Sequence, residues 1–181
     1  ITDSAPKFAA NFLKLFNDYR KLLDTMMRLG SEGMPNSIMN VSTEALIHDF
    51  FRDNLNHFPE LEEAAEKLAK SLPSETEIQY SFLCKRLEDL HKLKVKIQPV
   101  EQMGDVLRIF DQEKKEIWLS EVFDSINRKF QLAHLISFIE EETLLEKIAS
   151  KIDDKNQITK NRCKVELANY FAAAAIMRLF A

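Results

Sequence analysis

The chain has 181 residues, a formal net charge of −4, 45% hydrophobic and 30% charged residues, and only 3 Gly and 5 Pro. This composition is typical of a folded, helix-rich protein of the cytoplasm with one sizeable core. The acidic balance excludes a general basic surface for nucleic-acid phosphates, and no apolar run approaches the roughly 20 residues of a membrane span. Cys84 and Cys163 lack the Cys-x-x-Cys spacing of metal and redox sites, so we interpret them as buried thiols.

The first segment predicts a long amphipathic helix from Ala5 to Leu29. Its apolar residues recur at alternating four- and three-residue intervals, which is a coiled-coil spacing. Two interpretations stay open, packing within its own domain and contact with a second copy. The dimerisation candidates are Phe8, Phe12, Leu15, Tyr19, Leu22 and Met26. The chain begins at Ile1 rather than Met, as a fragment of a longer polypeptide would.

Two shorter helices follow, from about Ser42 to Asn54 and from Pro59 onward, where proline suits the first helical position. Pro73 marks the best internal boundary. We therefore predict an N-terminal helical region for linking or dimerisation over residues 1–72, and a second domain over residues 73–181.

The second domain opens with Ser74 and Glu77 in the spacing of a capping box, which predicts a helix to about Leu93. The exposed face of that helix is basic and includes Arg86. Such a face is either simply solvated or a site for an anionic ligand.

The only β signal lies between Val95 and Ser120. Three runs, near Val95–Gln98, Val106–Phe110 and Ile117–Ser120, predict a small, largely antiparallel three-stranded sheet, and the fold class is α+β. Alternation places one set of side chains on each face. One face would carry Leu107, Ile109, Ile117 and Leu119; the other would carry Arg108, Phe110, Trp118 and Ser120.

Asp124 or Ser125 can cap a helix whose stretch from Phe130 to Glu142 is apolar nearly all round except for one polar line. The line consists of Asn127, Gln131, His134 and Ser137. A helix of this kind is buried, so these polar groups must meet a partner, a ligand or trapped water. This face is the candidate functional site.

The element order and the Leu132-Ala133-His134 and Ala168-Asn169-Tyr170-Phe171-Ala172-Ala173 blocks resemble the ImmA/IrrE family of zincin-like metallopeptidase domains. That family places a second histidine and a catalytic acid on the same helix. His134 matches the first histidine, but Leu135 stands where the acid is expected and Phe138 where the second histidine is expected. The resemblance therefore implies a degenerate, non-enzymatic domain without catalytic zinc.

A closer resemblance extends over Ser42 to Met177. It rests on the run from Leu55 to Glu66, on Arg128 to Ala133, and on Leu167 to Ala173. These blocks are similar to the short-chain fatty acyl-CoA transcriptional regulators of bacteria, of the RamB and PrpR type. The resemblance implies a cytoplasmic homodimer that senses a metabolite and contacts DNA through a helix-turn-helix outside this chain.

The resemblance implies that an acyl-CoA or a related metabolite, rather than a fixed cofactor, binds in a relic metallopeptidase cleft. The candidate ligand-binding residues are Arg86, Arg108, Trp118, Arg128, Phe130, Gln131, His134, Phe138, Asn169 and Tyr170. Each also has an ordinary structural interpretation as a core or solvated residue. The alternative function is a helical dimerisation or protein-interaction module that senses nothing, with a zinc peptidase as a remote third.

Overall fold

The computed structural model describes residues 36–104, 106–111 and 113–178, without the side chains of residues 36–42, 76 and 77. The predicted dimerisation residues, Phe8, Phe12, Leu15, Tyr19, Leu22 and Met26, lie outside these ranges. The chain forms two compact units, Ile1–Asp53 and Asn54–Ala181. The predicted division into residues 1–72 and 73–181 stays a prediction.

Seven helices and three strands make up the described part of the chain. In order they are α1 Asn36–Asp53, α2 Pro59–Ser71, α3 Thr76–His91, β1 Lys94–Gln98, α4 Val100–Met103, β2 Arg108–Asp111, β3 Glu116–Ser120, α5 Ser125–Glu140, α6 Glu142–Ala149 and α7 Gln157–Met177. The predicted α+β class is confirmed. None of the described helices is both long and apolar enough to cross a membrane.

Helix α7 is the centre of the second unit, since α2, α5 and α6 all pack against it. Its buried face includes Ala168, Ala172 and Ala175, whose small side chains let neighbouring helices approach closely. Helix α2 begins at Pro59 and buries four residues on one face. They are Leu61, Ala64, Ala65 and Leu68, spaced by three and four residues as a core-facing helix requires.

The three strands form a mixed sheet in the order β1-β3-β2. Strand β3 lies parallel to β1, with Lys94 opposite Glu116, and antiparallel to β2, with Arg108 opposite Leu119. The sequence suggested largely antiparallel pairing. The difference arises because the connection through α4 carries β2 to the far edge, and the tight turn after β2 then returns β3 to the central position beside β1.

The faces of the sheet differ from those predicted for β2. Directly paired residues point their side chains to the same side, so Arg108 shares the face of Leu119, and Ile109 shares the face of Trp118. The prediction had these two residues of β2 reversed. Alternation within a strand was correct, but the offset between strands depends on the turn, and a one-residue offset exchanges the faces.

Candidate ligand-binding site

Arg108 on β2 contacts the polar line of α5. Its guanidinium atom Nη1 lies 3.0 Å from Nδ1 of His134 and also donates to the main-chain oxygen of Gln131 at 3.4 Å. His134 is only 5% exposed. The reversed face of β2 is what brings this arginine to the histidine, and the structure thereby joins three of the predicted ligand-binding residues.

The contact determines the protonation of His134. A guanidinium can only donate hydrogen bonds, so Nδ1 must accept and the ring proton must reside on Nε2. Burial, assisted by the positive charge of Arg108, lowers the pKa of His134 to about 4. His134 is therefore a neutral imidazole at pH 7. Its Nε2–H makes no hydrogen bond to any residue of the described ranges.

Two aromatic rings flank the imidazole along α5. Phe130 stacks on it with a centroid distance of 6.5 Å and an interplanar angle of 28°. Phe138 meets it edge-on at 5.1 Å and 60°. The three residues are four apart in sequence and so lie on one side of the helix. They surround the imidazole with apolar surface.

The guanidinium of Arg108 has no carboxylate within ion-pairing distance in the described parts of the chain. Burial lowers the pKa of Arg108, but an arginine side chain remains charged at neutral pH. The site thus consists of a half-buried cation and a neutral histidine, and both carry N–H groups. It offers donors to a ligand.

The rest of the polar line is satisfied by the helix or faces solvent. The Ser137 hydroxyl is fully buried and donates to the main-chain oxygen of His134 at 2.7 Å. Asn127 is exposed near the start of the helix. Only His134 and Gln131 therefore direct polar atoms of this line toward another element.

Arg86 is committed to a different contact. Its Nε and Nη2 donate to the two carboxylate oxygens of Glu140 at 2.9 and 2.6 Å, and His91 contacts the same carboxylate at 3.0 Å. This cluster ties the C-terminal end of α3 to the end of α5. Arg86 therefore links α3 to α5 in this structure and does not contribute to the site formed by Arg108 and His134.

Arg128 lies in the first turn of α5. Its Nη2 donates to the main-chain oxygen of Glu121 at 3.1 Å, while its Nε is buried without a partner. Trp118 lies on the sheet face opposite Arg108. Its indole nitrogen donates to Glu116 at 2.9 Å, and Lys114 sits 5.2 Å from the ring centroid.

Tyr170 and Asn169 on α7 also have partners of their own. The Tyr170 hydroxyl donates to Glu62 on α2, and its ring meets Phe58 edge-on at 5.3 Å. Asn169 donates to Glu166 one turn earlier at 3.3 Å. The Tyr170 contact links α7 to α2, the Asn169 contact stays within α7, and neither brings its residue to the guanidinium of Arg108.

One buried polar pair went unpredicted. Lys129 is completely buried, and its ammonium donates to the side-chain oxygen of Gln79 at 3.1 Å. The amide of Gln79 donates in turn to the main-chain oxygen of Pro73 at 3.1 Å. No local pattern separates Lys129 from the solvated Lys and Arg residues around it, so only the tertiary structure reveals its burial.

A surface cavity of about 530 Å³ lies at the α2–α3 connection, and none of the predicted ligand-binding residues lines it. Its lining residues are Glu66, Ala69, Lys70, Leu72, Pro73, Ser74, Gln79 and Arg178. The cations Lys70 and Arg178 both contact Glu66, at 2.7 and 3.7 Å. Its charges are thus largely paired, in contrast to Arg108.

Comparison with known families gives a match within the second unit. Residues 88–179, which contain the sheet, Arg108 and His134, match the family described as the IrrE N-terminal-like domain of the M78 peptidases. The chain belongs to this family. The predicted resemblance to ImmA/IrrE-like domains is confirmed, whereas the finer resemblance to RamB and PrpR regulators stays a prediction.

A solved structure resembles this IrrE N-terminal-like chain in fold. It is a Mycobacterium tuberculosis transcriptional regulator with 22% sequence identity and a TM-score of 0.64. The match covers 71% of this chain but only 39% of the regulator, so this chain spans well under half of that protein. No curated protein matches the sequence.

The peptidase family name implies a metal, and the residues present do not fit one. Within the described ranges, no group of three or more His, Cys, Asp or Glu side chains is arranged to hold a metal ion. The histidine at the family's position is instead in contact with the guanidinium of Arg108. A fixed positive charge beside the imidazole opposes the approach of a second cation.

Proposed function

We propose that this chain is the ligand-sensing part of a bacterial, cytoplasmic transcription regulator that binds an acyl-CoA or a related acyl metabolite and catalyses no reaction. The observation that carries the proposal is the contact of Arg108 with His134 in an IrrE N-terminal-like domain. The similarity in fold to a transcriptional regulator supports the regulatory role.

The chemistry of the pair favours an oxygen-rich ligand group. Arg108 and the neutral His134 present N–H donors, so a complementary group must be an acceptor, such as a carboxylate, a phosphate or an acyl carbonyl. Phe130 and Phe138 add apolar surface for a hydrocarbon portion. A short acyl group combines both features.

Apolar side chains continue from this site across the same face of the sheet. Ile97, Leu119 and Arg108 form one row across β1, β3 and β2, and Phe110 lies two residues beyond Arg108. Leu119 is fully buried, but Ile97 and Phe110 are 43% and 51% exposed. Partial exposure beside a half-buried arginine provides a route by which an acyl chain reaches the site.

The sensing role also requires that binding alters the regulator. We propose that the segment from Phe8 to Met26, with its coiled-coil pattern, transmits this change. It would join two copies of the chain and connect to a DNA-binding helix-turn-helix outside this chain. A ligand changes DNA affinity only if it binds the two arrangements of the dimer unequally. Replacing Phe12 and Leu15 by Glu should convert a dimer into monomers in light scattering.

Calorimetry with acetyl-, propionyl- and hexanoyl-CoA tests the proposal. We expect binding to the native protein and a large loss of affinity in Arg108→Leu and His134→Ala. The matched control is Arg162→Leu, which removes an exposed arginine from α7. The acyl-CoA form of the proposal fails if none of these three ligands gives heat, and the assigned site is wrong if Arg108→Leu binds as tightly as Arg162→Leu.

A protein-interaction module that senses nothing is the second candidate. The observation that favours it is the near-complete burial of His134 between Phe130 and Phe138, which fill space that a ligand would need. This function predicts dimers but no calorimetric signal with any acyl-CoA. The same titration therefore separates the two candidates.

A further inference from the structure

Arg108 differs from two other arginines that contact helices of this unit. Arg86 holds Glu140, and Arg178 holds Glu62 at 2.6 Å. Arg108 is half-buried like Arg86, yet its protein acceptors are a neutral ring nitrogen and one main-chain oxygen. It is a cation without a negative counterpart in the described parts of the chain.

The donors of Arg108 that remain are suited to a carboxylate. Nη1 is engaged by His134 and Gln131, whereas no hydrogen bond to a described residue occupies Nε or Nη2. In Arg86 the same two atoms hold both oxygens of a carboxylate. This bidentate arrangement is the geometry that arginine and carboxylate groups prefer.

Charge balance favours an anion over a neutral carbonyl at this position. A partly buried cation loses part of its hydration, and an opposite charge offsets that loss. The neighbouring His134 is neutral and contributes no negative charge. An acyl thioester carbonyl would accept a hydrogen bond but would leave the charge of Arg108 uncompensated.

We infer that the ligand places a carboxylate against Arg108, so that the ligand class is an organic acid with an apolar body. Two sources share this chemistry. One is a free fatty acid of short or medium length, and the other is an acyl thioester whose acyl chain ends in a second carboxylate. This inference rests on the proposed function and specifies which ligand group occupies the site.

The test is a calorimetric comparison of five ligands on the full chain: hexanoate, glutarate, hexanamide, hexanoyl-CoA and glutaryl-CoA. We expect hexanoate, glutaryl-CoA or both to bind, and hexanamide, which is nearly isosteric with hexanoate but neutral, to bind at least roughly tenfold more weakly. Hexanoate binding alone identifies a free acid, and glutaryl-CoA binding alone identifies a thioester. A comparison of glutarate with glutaryl-CoA shows whether the protein recognises the acyl group alone or also needs the coenzyme.

Variants assign the carboxylate to Arg108. Arg108→Gln should lower the affinity for the carboxylate ligand by roughly tenfold to a hundredfold. Arg108→Lys retains the positive charge but lacks the paired N–H donors of a guanidinium, so it should lower the affinity less. Arg162→Gln is the control. If an Arg108 variant fails to fold, the native protein still decides the question: hexanoate is compared with hexanamide for a free acid, and glutaryl-CoA with hexanoyl-CoA for a thioester.

Three outcomes overturn the inference in different ways. If hexanoyl-CoA binds with dependence on Arg108 while hexanoate, glutarate and glutaryl-CoA do not, the carboxylate is excluded and the proposed sensing function stands. If hexanamide binds as tightly as hexanoate, the charge of the ligand is irrelevant and the inference is wrong. If none of the five ligands binds, both the inference and the proposed function fail.

Discussion

Arg108 and His134 join β2, an edge strand of the sheet, to helix α5 through a hydrogen bond of 3.0 Å. Burial of the imidazole, together with the fixed positive charge that this bond places against it, keeps the ring neutral. Its consequences for stability can be measured without knowing the ligand.

Stability should fall as the pH is lowered from about 6.5 to about 4. An unfolded histidine takes up its proton near pH 6.5, whereas burial and Arg108 lower the pKa of His134 in the folded protein to about 4. Between these values the unfolded state binds more protons, so acidification favours unfolding. This loss of stability is absent above pH 6.5 and reaches on the order of 3 kcal/mol near pH 4.

Urea unfolding of the native protein and of His134→Gln across this pH range measures the effect. Glutamine cannot titrate, so the native protein should lose more stability than the variant as the pH falls. Parallel curves for the two proteins would contradict the assigned protonation of His134.

The Arg86–Glu140 pair should matter for stability and not for ligand affinity. Both side chains are mostly buried, at 27% and 18% exposure, and the two hydrogen bonds are bidentate. Arg86→Met leaves the carboxylate without its main partner, so we expect a loss of about 2 kcal/mol, less than for a fully buried pair. Chemical denaturation measures the loss, and calorimetry checks that ligand affinity is unchanged.

The control for this prediction is Glu63→Gln. It breaks the Lys67–Glu63 pair, whose side chains are 73% and 68% exposed, and it should change stability far less than Arg86→Met does. A larger loss of stability in Glu63→Gln than in Arg86→Met would show that the Arg86–Glu140 contact does not stabilise the packing of α3 against α5.

Tyr170→Phe should destabilise the protein by about 1–2 kcal/mol, because it removes a hydrogen bond to a carboxylate but retains the ring that packs on Phe58. The Tyr170 hydrogen bond is the largest cause of the lowered pKa of Glu62, so that pKa should rise in the variant. Thermal unfolding and carboxyl NMR titration measure these changes. A large loss of ligand affinity without a loss of stability would instead place Tyr170 in the binding site.

Lys129 and Gln79 should be energetically coupled in their contributions to stability. Lys129→Met removes the donor to the buried Gln79 oxygen, so we expect a loss of about 1–3 kcal/mol. The double variant with Gln79→Met should cost less than the sum of the single changes, with a coupling of roughly 0.5–3 kcal/mol. Urea unfolding of the four proteins gives this coupling, and additive losses would contradict it. Lys147→Met, at a position 62% exposed, is the control.

The sequence predicted the elements of the fold well because hydrophobic periodicity and breaking residues act locally. The strongest example is the helix with the polar line, whose cap was predicted at Asp124 or Ser125 and which is observed from Ser125 to Glu140. Its start is fixed by Asp124, whose carboxylate accepts from the main-chain nitrogen of Asn127 at 2.7 Å. The predicted family resemblance rested on the same helix and was confirmed by the family match.

The partners of the charged residues could not be predicted in the same way. Arg86 and Arg108 both lie in polar patterns, but one meets a carboxylate from α5 and the other a histidine. The outcome depends on the register between β2 and β3, which the turn determines, and on the angle between helices, which the whole core determines. The burial of Lys129 depends on long-range packing for the same reason.

The most direct measurement for the central claim is a crystal structure of the protein grown with hexanoate or glutaryl-CoA, whichever binds. Our account predicts a ligand oxygen within about 3 Å of the guanidinium of Arg108 and an acyl chain near Phe110 and Ile97. Ligand bound elsewhere, for example in the cavity beside Lys70 and Arg178, with Arg108 and His134 uncontacted, would contradict it.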